Sequence, residues 1–190
     1  MGLVLLYVLI DVVLQFLPPH YSVVSDAESD LAVGPFGLAM QVNFAARAVM
    51  SGCVIVAILL VGSASRPRNW GLVLLAASGL CSAALVFAPT DVNAPGEYGM
   101  TPHTAVGVVH VVFATTGFVA VLAAIVLLTA WAGRAARAIV AFAVLGAVGL
   151  AGLALSIALA PQVVGLAERV CLAGILGWAF VMCGGIRRLA

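Results

Sequence analysis

Asp91, His103 and His110 are the residues whose types and spacing could do chemistry. Two imidazoles and a carboxylate can ligate Zn or Fe and activate a bound water, so metal-assisted hydrolysis is one reading. The spacing works against a shared ion. His103 and His110 stand two turns apart on one helix face, about 10 Å, and the i, i+4 pair of an H-E-x-x-H site is missing. His110 reads better as a hydrogen-bonding group inside a helical bundle. As a haem ligand it would need a second deep imidazole, and His20 and His103 both lie near the ends of apolar blocks.

Further ionisable residues lie within or beside long apolar blocks, where each costs about 2.5–3.5 kcal/mol and calls for a partner or a role. Asp11 falls about 13 Å into the first block and Arg47 about 15 Å into the second. Both depths are near a membrane midplane, so an Asp11–Arg47 ion pair is expected. Asn43 stands one turn from Arg47 on the same face. Glu168 and Arg169 open the last block, where Glu168 suits the positive end of a helix dipole and Arg169 must snorkel or reach a carboxylate such as Asp91. With Asp26, Asp30, Asp91 and His103 at the rim, these groups predict one polar crater floored by Asn43 and Arg47.

The elements that must position these groups are membrane helices. Of 190 residues, 65% are hydrophobic and 8% charged, far below the roughly 25% charge of soluble domains. Six apolar blocks are expected as helices, over about 2–17, 38–62, 70–88, 103–132, 138–160 and 168–186, because lipid leaves no backbone group unpaired. Together they form a single transmembrane domain, an all-α six-helix bundle. Gly107, Ala114 and Gly117 give the fourth block a small-residue face for close packing.

Six of the eight basic residues form three pairs: Arg66 and Arg68, Arg134 and Arg137, Arg187 and Arg188. Retention of cationic loops in the cytoplasm puts all three pairs, and both termini, on the inner side of a plasma membrane. The acidic connectors then face outward. Short, isolated Arg pairs leave no nucleic-acid footprint. Cys53, Cys81, Cys171 and Cys183 lie inside apolar blocks without a C-x-x-C and read as small hydrophobes, not as disulfides or a metal site.

The order of motifs resembles domain of unknown function 998, a family of prokaryotic integral membrane proteins. The resemblance rests on Ser25-Asp26 and Gly34-Pro35-Phe36-Gly37 before the second block, and Phe87-Ala88-Pro89-Thr90-Asp91 closing the third. His103 and His110 in the fourth, Gly165-Leu166-Ala167-Glu168-Arg169 opening the sixth, and Trp178 complete it. It implies a small helical bundle, brings no established activity, and adds weight to Asp91, His103 and Arg169.

Three functions compete on these residues. The first is binding or handling of a lipid-like or isoprenoid-like molecule, with Arg47 and Arg169 suited to an anionic group and membrane lipids as the surroundings. The second is an intramembrane enzyme, either the hydrolase above or an acid-initiated isoprenoid cyclase or isomerase with Asp11 or Asp91 as proton donor. The third is a haem electron carrier using His110. No motif specifies a cofactor or an oligomeric state.

Overall fold

The computed structural model describes residues 1–17, 21–61, 63–94, 96–133 and 137–186. Expectations that involve His20, Arg134, Arg187 and Arg188 therefore lie outside the described residues. All regular structure among those residues is helical: α1 Gly2–Leu14, α2 Gly37–Val61, α3 Arg66–Leu85, α4 Ala105–Ala132, α5 Arg137–Leu159 and α6 Val164–Ile186. Short 3-10 turns cover Glu28–Ala32 and Pro161–Val163.

Five helices, α2 to α6, are long and apolar enough to cross a membrane. Large apolar side chains such as Leu5, Leu60, Leu80, Val126 and Leu155 point outward around the bundle, as lipid-facing residues do and as soluble surfaces do not. The chain is built as a multi-pass membrane protein. α1 is the exception, with 13 residues and a rise of about 20 Å, short of the hydrocarbon thickness. The expected helix 2–17 stops early, so Asp11 lies in its last turn.

α3 begins four residues before its expected start because the polar turn ahead of it is itself a cap. The Ser65 side chain accepts from the Arg68 backbone N–H at 3.4 Å, and Pro67 occupies the first turn, where a missing N–H costs nothing. Arg68 is buried, and its guanidinium donates to the Ile58 and Leu59 carbonyls at 3.4 and 3.5 Å. It thus closes the end of α2, where a cation also meets the negative end of the helix dipole.

α3 packs along α4 and α5 along α6 as the two closest pairs, with α2 against α3 and α1 against α2. Helices in lipid associate by close packing, since hydrocarbon competes equally for their apolar faces. Gly146, Gly149 and Gly174 let the α5 and α6 backbones meet, and a Cβ at Gly149 or Gly174 would run into the opposite main chain. The expected small face of α4 is used in parts: Gly107 lies against the Asp91 carboxylate, where a Cβ would collide, Gly117 faces Cys81 of α3, and Ala114 lines a cleft described below. One core cluster, around Ile58, Leu128 and Trp178, occupies the half nearer the α2–α3 turn. A second, around Tyr7, Met40 and Phe44, occupies the half nearer the long connectors.

Candidate functional site

The groups expected in one crater fall into separate neighbourhoods at the connector end of the bundle. The deepest is built from α1, the first connector, α2 and α6. Glu28, in the 3-10 turn, is 2% exposed. The Tyr7 hydroxyl of α1 donates to both of its carboxylate oxygens at 2.8 Å, and its backbone N–H donates to Glu168 Oε2 at 2.6 Å. Asn43, fully buried, donates from Nδ2 to the Tyr7 carbonyl at 3.1 Å, tying α2 to α1. Burial, reinforced by the Asp11 and Glu168 carboxylates, pushes the Glu28 carboxyl well above its ordinary range; Arg47 pulls the other way. Asp30, on the same turn, is pushed up to about 7, by burial first and then by Glu168 and Asp26.

Beside this core, Arg169 makes no contact with Asp91 among the described residues. Its guanidinium donates to the carbonyls of Val23, Asp26 and Gly165 at 3.1, 3.3 and 3.0 Å, and to the Tyr21 hydroxyl. The Tyr21 ring lies 5.2 Å from the guanidinium carbon, within cation–π range. Arg169 thereby fastens the first connector over the start of α6. Gly165 allows the approach, since a Cβ there would collide with the Asp26 carbonyl. Glu168, expected as a dipole partner, instead turns inward to Glu28.

Asp91 belongs to a different place. Its Oδ2 accepts from the backbone N–H groups of His103 and Thr104 at 2.6 and 2.7 Å, and its Oδ1 accepts from the Thr104 hydroxyl at 2.8 Å. Thr104 in turn caps α4 by accepting from the Gly107 N–H at 2.9 Å. Asp91 is thus an anion seated on a helix N-terminus, and these bonds, the Thr104 pair first, hold its carboxyl below the ordinary range. The His103 ring is exposed, whereas His110 is buried with Nδ1 2.7 Å from the Ala88 carbonyl. A carbonyl only accepts, so Nδ1 carries the proton and the Nε2 lone pair faces inward without a partner. Among the described residues, no three His, Cys, Asp or Glu side chains gather as metal ligands.

The expected Asp11–Arg47 ion pair is not made at contact distance. Asp11 Oδ2 accepts from Gln15 Nε2 at 2.7 Å, its other oxygen being buried without a partner. The Arg47 guanidinium lies instead over two aromatic faces, 5.9 Å from the Tyr7 ring centre and 5.2 Å from that of Phe44. Among the described residues its side chain makes no hydrogen bond or ion pair, and its Nε is buried and unpaired.

Arg47 opens instead on a cleft between α2, α3, α4 and α6. The cleft is walled mostly by apolar groups such as Leu75, Phe113, Phe118, Val121 and Leu176, with Ser51, Ser78 and Ser82 as its small polar members. From Arg47 to Val54 it runs along α2 for about 10 Å, and Trp178, anchored by a 2.8 Å bond to Thr129, borders its far part. A second, wider hollow lies between the two long connectors and includes Asp26, Asp30, Phe36, Glu97 and Tyr98.

Tyr7, Tyr21 and Glu28 are the site residues that sequence reasoning passed over. Tyr7 was legible as an isolated hydroxyl in an otherwise apolar helix, which must find a partner. Glu28 sits among connector residues that read as solvated, and its one clue is the apolar Leu31-Ala32 that follows it.

No curated protein and no solved structure matches the chain. A family model does match residues 2–185, nearly the whole length. With a helical membrane bundle and landmark residues from Asp26 to Trp178 in place, the chain belongs to the family described as protein of unknown function (DUF998).

Proposed function

We propose that this protein binds or handles a lipid-like or isoprenoid-like molecule with an anionic head, held in the cleft between α2, α3, α4 and α6. One observation carries the reading: the Arg47 guanidinium faces an apolar cleft and has no acceptor among the described residues. A cation at membrane depth is retained only with a counter-charge or a function. Pockets for small amphiphiles share this make-up, an apolar wall with few polar groups fixing one end. Asn43, Glu168 and Asp26 support the site at its connector end and do not line the cleft.

The protein resides in the plasma membrane as a single six-helix unit, with α1 as the sixth, shallow span and both termini cytoplasmic. Support for this orientation comes from Arg66, Arg68 and Arg137, which begin α3 and α5 at the end away from the carboxylate-bearing connectors.

Lipid extraction and mass spectrometry of purified protein test the proposal. Wild type should carry an anionic amphiphile in near-stoichiometric amount. Arg47→Gln should lose it by removing the charge, and Ala114→Phe by filling the cleft. Equal amphiphile content in all three proteins would overturn the proposal.

A further inference from the structure

Three carboxylates, Asp11, Glu28 and Glu168, and two guanidiniums, Arg47 and Arg169, share the polar core at the connector end. With every group ionised, these five alone leave two positive against three negative in a region largely closed to water, and Asp26 and Asp30 of the first connector add to the negative excess. Arg169 is held by three carbonyls and Tyr21. Arg47 is the cation that both the carboxylates and the cleft can use. An anion seated on Arg47 would bring the count to two against four.

Low dielectric makes that excess costly, since like charges a few ångströms apart cannot all ionise where water is scarce. The cheapest relief is a proton. Glu28 is the group placed to hold it: it is almost fully enclosed and the Glu168 carboxylate sits against its backbone, while the Tyr7 hydroxyl, which donates to both of its oxygens, offsets only part of that pressure. We propose that Glu28 is a proton-binding site coupled to the cleft, so that an anionic amphiphile and one proton are bound together. This inference rests on the cleft reading above and deepens it. Every element around Glu28 supplies charged or titratable groups: Tyr7 and Asp11 from α1, Tyr21, Asp26 and Asp30 from the first connector, Arg47 from α2, and Glu168 and Arg169 from α6. His110 of α4 is within electrostatic reach of Arg47. The burial that raises the Glu28 carboxyl agrees with this assignment.

Linkage makes the coupling reciprocal: if the anion raises proton affinity, protons raise anion affinity by the same factor. The probe is 1-decanesulfonate, whose charge does not titrate, measured by calorimetry against the full-length protein in maltoside micelles from pH 5.5 to 8.5. Two buffers of different ionisation heat report protons taken up. Wild type should bind up to about tenfold more weakly per pH unit at the alkaline end, with close to one proton taken up per anion. Glu28→Gln, a fixed mimic of the protonated state, should bind tightly with no pH slope. Tyr7→Phe removes the donor that favours the carboxylate, so the weakening should start at higher pH; this variant serves if Glu28→Gln fails to fold. pH-independent wild-type binding without proton uptake overturns the coupling and leaves the cleft reading standing. A slope kept in Glu28→Gln but lost in His110→Gln overturns the assignment to Glu28. Absence of binding at every pH overturns the cleft reading itself, and the coupling with it.

Discussion

Arg169 and Arg47 are the same residue type in the same bundle, yet their surroundings differ in kind. Arg169 stands in the second turn of α6, under a folded connector whose carbonyls at Val23 and Asp26 have no helical partners. Arg47 stands in the middle of α2, where neighbouring carbonyls are already engaged in i to i+4 bonds, and it meets aromatic faces and an apolar-walled cleft instead. A guanidinium is satisfied where irregular backbone is near and left wanting where every helix is regular. The first arrangement holds a fold together. The second is the one to which we assign a ligand.

The largest test of this contrast is a pair of truncations. Arg169→Ala should cost about 2–4 kcal/mol, because several charge-assisted bonds are lost and connector carbonyls are stranded. Arg47→Met should cost clearly less than Arg169→Ala, since no hydrogen bond is lost and Glu28 can take up a proton to offset the missing charge. Unfolding in matched micelles reads both, and equal losses would erase the distinction.

A smaller effect sharpens the boundary between the two regions. Tyr7→Phe should destabilise by about 1–3 kcal/mol by depriving buried Glu28 of its donor. Adding Glu28→Gln should recover part of that loss, and a double-mutant cycle that shows simple additivity would mean the 2.8 Å contact carries no coupling.

The smallest effect is at Asp91, which touches neither arginine. Its carboxyl is held below the ordinary range, so the folded state releases this proton more readily than the unfolded chain. The stability it supplies is complete above the ordinary carboxylate range and fades as pH falls through the lowered value. Asp91→Asn should therefore flatten the acid side of a melting-temperature profile and lower the neutral-pH melting point only slightly. An unchanged acid limb would remove Asp91 from the cap.

Much of this architecture was legible in the chain, because long apolar blocks leave the backbone no alternative to helix. Boundaries set by local chemistry were harder to see. Ser65 and Pro67 start α3 within what reads as a polar turn, and α6 starts at Val164, four residues before the expected Glu168. Among the site residues, Arg47 and Asn43 stood out because polar groups inside an apolar run demand explanation. Glu28 did not, because burial in a connector follows from tertiary folding that no periodicity records. Asp91 was noticed for its charge, but its task as an anchor for α4 depends on Thr104, twelve and more residues further along.

The cleft below Arg47 is bounded only by residues of α2, α3, α4 and α6, helices of membrane-crossing length. A molecule bound there as proposed would sit at the depth of acyl chains, so filling of the cleft would follow how strongly a compound partitions into hydrocarbon, more than how much of it is dissolved in water. Two ligands with identical heads would then compete according to tail length, and a water-soluble analogue stripped of its tail would make a poor rival.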